Sequence, residues 1–152
     1  MRPDSLPRRI REWRKKKWDH VVEDERLQYP HLWVVEVATG RQRRLTSGAH
    51  WVWNARWSPD SRAIAFLTSP SGKPDDGNLN DVGIVPVAGG PMRKLGVIGN
   101  GSFVWSPDGR WIALAGPTDR ARHVQKEDLL VIPAAGGQAV NLTAGFDEDA
   151  HG

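Results

Sequence analysis

The stretches ARWSPDSRAIAFLT at 55–68 and FVWSPDGRWIALAG at 103–116 decide how this chain folds. Around them three further segments align without gaps: LWVVEVATGRQRRLT at 32–46, VGIVPVAGGPMRKLG at 82–96 and LLVIPAAGGQAVNLT at 129–143. Their glycine column, Gly40, Gly90 and Gly137, recurs at 50 and 47 residues, and Trp57 to Trp105 is 48. Two kinds of segment alternating at this spacing make an internal repeat.

Each unit reads as four strands. The first ends on Trp57 or Trp105 and turns through Ser58-Pro59-Asp60-Ser61 or Ser106-Pro107-Asp108-Gly109. Proline presets φ for a type I turn, and the residue that closes the turn takes a left-handed backbone. Gly109 does this freely, whereas Ser61 in the same column costs about 1 kcal/mol. The second strand starts at once, at Ala63 or Trp111, and connections at 69–80 and 116–127 lead to a third. That third strand, Val82–Val87 or Leu129–Ala134, turns at Gly89-Gly90 or Gly136-Gly137, and a fourth ends at Leu95 or Leu142. Pro86 and Pro133 share a column near the end of strand three, where a missing amide predicts a frayed end.

The inner strands are apolar on both faces, Ile64 and Phe66 with Ala65 and Leu67, and Leu32 and Val34 with Trp33 and Val35. A half-exposed sheet would alternate instead. Each sheet therefore needs a neighbour on either side, and four-stranded repeats stacked sheet on sheet describe a β-propeller. The expected fold is all-β: a partial β-propeller of about three four-stranded antiparallel blades in an incomplete ring, because closure takes at least four. The expected divisions are a basic N-terminal arm (1–18), a partial blade (19–46), complete blades (47–96 and 97–143), and the start of a further connection (144–152). Trp33, Trp57, Trp105 and Trp111 are expected to pack between sheets. The turns 58–61, 88–90, 106–109 and 135–137 should share one face, with the two long loops on the other, the expected partner-binding side.

Composition excludes several function classes. With 152 residues, 39% of them apolar, the chain has enough to bury a core. It has no cysteine, which rules out disulfide staples, thiolate metal sites and a cysteine nucleophile. Its apolar runs, LWVV and WIALA, fall far short of the roughly 20 residues that span a bilayer. No apolar segment follows the basic N-terminus as in a secretory signal, so a cytoplasmic chain without a membrane partner is expected. The net charge is +3, but residues 1–20 alone carry +5 and the remainder −2. RRIREWRKKKW at 8–18 thus reads as a solvated connection held by Trp13 and Trp18, and no nucleic-acid partner is expected.

These residues resemble a known family. WSPD or WSPDG, an IAF or IAL strand, an LWVV or LLVI strand, a glycine turn and a closing LT are similar to blades of the TolB-like propeller superfamily. The phrases KKKWDHVVEDERLQYPHLWVVEVATGRQRRLT at 15–46 and NLTAGFDEDAHG at 141–152 resemble the propeller of acylaminoacyl-peptidase-like members of the prolyl oligopeptidase family. The resemblance covers roughly residues 13–149. It implies a propeller capping an α/β-hydrolase domain with a Ser-Asp-His triad, and a role in restricting large or folded substrates. The expected partners are that domain, the remaining blades and, indirectly, peptide substrates.

No catalytic residue carries over from the resemblance. A nucleophile elbow needs Gly-x-Ser-x-Gly, and Ser102 has Asn100 and Val104 at the glycine positions. The chain is therefore expected to be a non-catalytic fragment, with self-association when isolated. No cofactor or metal is expected: His20, His31, His50, His123 and His151 show no ligand spacing, and GKPDD at 72–76 lacks the rest of a phosphate loop. The triplet Glu23, Asp24 and Glu25 could anchor a substrate amine, as acidic propeller residues do in dipeptidyl-peptidase relatives, but its flanking sequence matches the acylaminoacyl-type phrase. The alternative function is a TolB-like scaffold that binds protein partners. The residues singled out as the blade motif are structural: Trp57, Ser58, Pro59, Asp60, Trp105, Ser106, Pro107, Asp108, Gly109, Gly40, Gly90 and Gly137.

Overall fold

In the computed structural model the sequence repeat becomes a stack of three antiparallel sheets, described for residues 29–71, 73, 79–97, 101–119 and 126–146. The arm at 1–18, the acidic triplet, His20, His123, His151 and most of 72–76 lie outside these residues. β1 (Trp33–Glu36) and β2 (Arg41–Arg44) form a two-stranded sheet. β3 (Trp51–Trp57), β4 (Ala63–Ser69), β5 (Asp81–Pro86) and β6 (Arg93–Lys94) make a four-stranded meander. β7 (Phe103–Trp105), β8 (Trp111–Gly116), β9 (Asp128–Pro133) and β10 (Val140–Asn141) repeat it. No α-helix occurs among the described residues, and the sheets do not close into a ring.

The middle sheet shows why both faces of its strands are apolar. Ile64, Phe66 and Val85 pack with Leu45, Val52, Leu32 and Val34 on the side of the first sheet. Ala65, Leu67, Val82 and Ile84 pack with Phe103, Ile112, Leu114, Leu130 and Ile132 of the third. Because successive side chains point to opposite faces, one strand serves two cores. β4 is accordingly buried almost throughout, whereas β8 alternates between buried and partly exposed residues. The third sheet is covered on one side only among the described residues. Its other face exposes Val104, Leu129, Val140 and Leu142.

Register places the turns as the repeat implies. The Val87 amide donates to Arg62 O, and the Ala134 amide to Arg110 O, both at 2.8 Å, tying each first turn to the glycine turn of its own sheet. Thr68 pairs with Asp81 and Gly116 with Asp128 at the opposite end, where the long connections leave.

Two expectations need correction. Pro86 and Pro133 do not fray their strands, since they pair with Ala63 and Trp111 and the ladder continues past them. Alternation explains this: Val82 and Leu129 bond the outer strand and Val87 and Ala134 the inner one, so each proline nitrogen faces outward, beyond the end of β6 or β10. No ladder donor is missing. The second correction concerns the tryptophans. Trp105 is half-buried against the core between the second and third sheets and its indole N–H donates to Arg56 O at 3.3 Å. Trp57, its repeat equivalent, is 52% exposed, because the described residues supply only the outer two strands of the preceding sheet and no inner strand for it to meet. Trp33 and Trp111 are also exposed, on the outward faces of the terminal sheets.

Candidate functional site

The residues with the most organised polar chemistry lie on the turn face. At the first Ser-Pro-Asp turn, Ser58 Oγ donates to Asp60 Oδ1 at 2.6 Å and accepts the Ala63 amide at 2.9 Å. Asp60 Oδ1 also accepts the Arg62 amide at 3.0 Å. The second turn copies this: Ser106 Oγ donates to Asp108 Oδ1 at 2.6 Å, Trp111 N donates to Ser106 Oγ at 2.9 Å, and Arg110 N to Asp108 Oδ1 at 3.0 Å. The closing positions are left-handed, with φ of 58° at Ser61 and 70° at Gly109. A Cβ at Gly109 would stand 3.6 Å from Pro59 Cδ, so the two turns abut.

These serines are not poised as nucleophiles. The Ser106 hydroxyl, the Arg110 amide and the Arg110 guanidinium, in that order, hold the Asp108 carboxyl far below its ordinary range. Ser58 and the Arg62 amide lower Asp60 in the same way. A carboxylate with so little proton affinity is a poor base for a hydroxyl. What the arrangement does is hold a turn, by satisfying two backbone amides and one hydroxyl at each copy.

Next to the turns lies a contact that the repeat motif did not reveal. Arg43 on β2 donates through Nη1 to Ala88 O and through Nη2 to Val87 O, on the glycine turn of the next sheet. Arg93 on β6 donates through the same two nitrogens to Ala135 O and Ala134 O, one sheet further on. Arg43 and Arg93 occupy the same repeat column, so each sheet grips its successor with a two-pronged guanidinium. The glycines beneath make room: a Cβ at Gly89 would stand 3.3 Å from Arg43 Nη1, and one at Gly136 3.4 Å from Arg93 Nη1. Both have positive φ, as do Gly40, Gly90 and Gly137. In the third sheet the arginine column holds Val140, 51% exposed. An open cleft beside the first clasp is lined by Val34, Glu36, Arg41, Gln42 and Arg43.

A second repeated device joins strands three and four at the loop end. A residue at the start of the third strand meets one just past the end of the fourth. Asp81 Oδ1 accepts the Gly96 amide at 2.9 Å, and buried Asp128 accepts Thr143 Oγ at 2.9 Å. Burial raises the Asp128 carboxyl, but hydrogen bonds from Lys126, Thr143 and Asn141 outweigh it and the net direction is down. In the first sheet the column holds His31, with Nδ1 3.4 Å from Thr46 Oγ1. The closing LT of the repeat thus has a use: Thr46 Oγ1 and Thr143 Oγ1 each accept an amide where the third strand begins, that of Leu32 or Leu129, at 2.9 Å. No group of three or more His, Cys, Asp or Glu that could hold a metal occurs among the described residues.

Solved structures match this arrangement. A putative TolB from Agrobacterium tumefaciens superimposes with a TM-score of 0.52 over 73% of this chain and 40% of its own, at 19% identity. TolB from Acinetobacter baumannii gives 0.50 over 75% of this chain and 27% of its own, at 18% identity. The sheets thus have the fold of propeller blades like those of the TolB structures. In sequence, this propeller segment is 34% identical over 94 residues to the uncharacterized peptidase YuxL of Bacillus subtilis, 60% of this chain and 14% of that protein. It is 29% identical over 117 residues to Tricorn protease homolog 1 of Streptomyces coelicolor, 75% of this chain and 10% of that protein. No family model matches. The chain is a propeller module related to peptidases, and it spans a small part of the length of those relatives.

Proposed function

We propose that this segment is a non-catalytic part of a serine peptidase propeller, whose role is to restrict which substrates reach a hydrolase domain carried elsewhere in the parent protein. The observation that carries the reading is that two relatives bear the names of peptidases and align with 60% and 75% of a chain whose described residues are propeller blades. The serine-type, acylaminoacyl-like assignment rests on the flanking phrases at 15–46 and 141–152. The blade architecture suits a filter. Arg43 and Arg93 each tie one blade to the next, as a wall that discriminates by size requires. The TolB likeness, at 18–19% identity, supports the fold and adds no partner of its own.

Two measurements test the proposal. The purified chain should take up no serine-reactive fluorophosphonate, and stoichiometric labelling at any serine overturns the non-catalytic role. The parent protein, with and without its propeller, should be assayed against a short peptide and a folded protein carrying the same cleavage sequence. Removing the propeller should raise the folded-to-peptide rate ratio by at least tenfold, and an unchanged ratio rejects the filter.

A further inference from the structure

We propose that the junction between the first and second blades is a pH-sensitive latch, in which protonation of His31 and His50 releases the outer strands of the first blade from the second. The repeat itself points to it. At the column where the second and third blades place Asp81 and Asp128 against the closing residue of strand four, the first blade places His31. The carboxylate that ties strand three to strand four within those blades is replaced there by a group that changes charge between pH 5 and 8 and that faces His50 of the next blade.

The local chemistry gives the direction. Thr46 Oγ1 already accepts the Leu32 amide at 2.9 Å, so its own hydrogen is free for His31 Nδ1, 3.4 Å away. That contact lies within the first blade and persists with its direction reversed when Nδ1 is protonated, so the release comes from the charge placed between His31 and His50 across the junction. His50, just before β3, lies edge-on to His31 with ring centroids 6.0 Å apart. Its Nε2 is buried and has no partner among the described residues, so nothing there stabilises an added proton. Among the described residues the charged groups facing the pair are Arg44 from β2 and Lys94 from β6, both positive. For His31, burial and then Arg44 push the proton affinity down; for His50, burial, His31, Lys94 and Arg44 do so in that order. Thr68 Oγ1, on the β4 face turned to the same junction, is the other buried side-chain atom without a described partner. This junction is thus the less well satisfied of the two, and acid adds two positive charges to it.

The sign follows from linkage. Both imidazoles bind protons less readily in the folded chain than at their ordinary value of 6.5, so the unfolded state takes up protons first as pH falls. The latch is fully closed above about pH 6.5 and weakens progressively below it.

Hydrogen exchange of the 152-residue chain reads this directly. Protection of a peptide covering 30–46 should fall at least tenfold more between pH 7.5 and pH 5.0 than that of 127–143, which carries a carboxylate in the same repeat column. His31→Asp, which installs the residue of the other blades, should cut that difference to under twofold. Equal loss in both peptides, or an undiminished difference in His31→Asp, overturns the proposal. Should His31→Asp fail to fold, His50→Asn, which leaves a single imidazole at the junction, should cut the same difference in protection at least by half, and an undiminished difference in it overturns the proposal.

Discussion

Gly83 lies directly beneath the ring of Phe66, its register partner across β4 and β5, so closely that a Cβ there would stand 2.7 Å from Phe66 Cε2. Phe66 is fully buried between the first two sheets and has nowhere to retreat. Gly83→Ala should therefore destabilise the chain by about 1–3 kcal/mol through overpacking, although alanine suits a strand better than glycine. A urea midpoint unchanged or raised in Gly83→Ala contradicts the packing described for this face.

The arginine clasps make a paired prediction. Arg93→Met keeps the apolar stem and removes the guanidinium, leaving Ala134 O and Ala135 O without their donor. A loss of about 1.5 kcal/mol is expected, the lower end for a charged donor because the site is partly solvated. Arg93→Lys should recover less than half of it, since an ammonium cannot reach both carbonyls in a planar fork. Denaturant midpoints at constant slope are the measurement, and full rescue by lysine would mean that charge alone matters.

The two Ser-Pro-Asp turns offer a reciprocal exchange. Ser61→Gly should stabilise by about 0.5–1 kcal/mol by relieving a left-handed serine, and Gly109→Ser should cost a similar amount. Opposite signs in thermal melts of the two variants support the shared turn conformation. Like signs would refute it.

Acid response should have a second phase below the histidine range. Asp60, Asp108 and Asp128 are all depressed below 3.8, so their contribution is complete above that value and disappears as pH falls through the lowered one. Tryptophan fluorescence should show unfolding continuing below pH 4, and Asp108→Asn should shrink that low-pH phase while leaving the histidine phase unchanged. A low-pH phase of unaltered size in Asp108→Asn removes the turn carboxylate as its cause.

The uncovered face of the third sheet should drive association. Val104 and Val140 stand where the covered face of the second sheet has Arg56 and Arg93, and together with Leu129 and Leu142 they leave an apolar surface open. Light scattering at micromolar concentration should show species larger than a monomer, reduced by Val104→Arg with Val140→Arg. A monomeric wild-type chain counts against this.

The repeat was legible because its signals are local. Pro59 and Pro107, the glycine columns and two-sided apolar strands each act through the backbone or through an even spacing, and neither needs a partner from a distant segment to be read. The Thr46 and Thr143 staples were visible as a recurring LT, without the hydrogen bond that explains them. Arg43 and Arg93 also stand in one column, but an arginine on an edge strand is common enough that only its distant acceptor gives it meaning.

From residues alone came the strand order, the turn geometry, the left-handed Ser61 and the stacking of sheets, all consequences of φ preference and a period of two. Tertiary structure decided everything that depends on which sheet stands beside which. Trp57 and Trp105 open the same Trp-Ser-Pro-Asp motif, yet Trp57 is 52% exposed while Trp105 is half-buried and bonded to Arg56 O. Pro86 and Pro133 look like strand breakers until the register shows their nitrogens facing outward. His31 becomes more than a solitary histidine only when folding brings His50 and Thr46 against it. Burial and hydrogen bonding are properties of pairs, and a pair separated by tens of residues has no local signature until the chain has closed the distance.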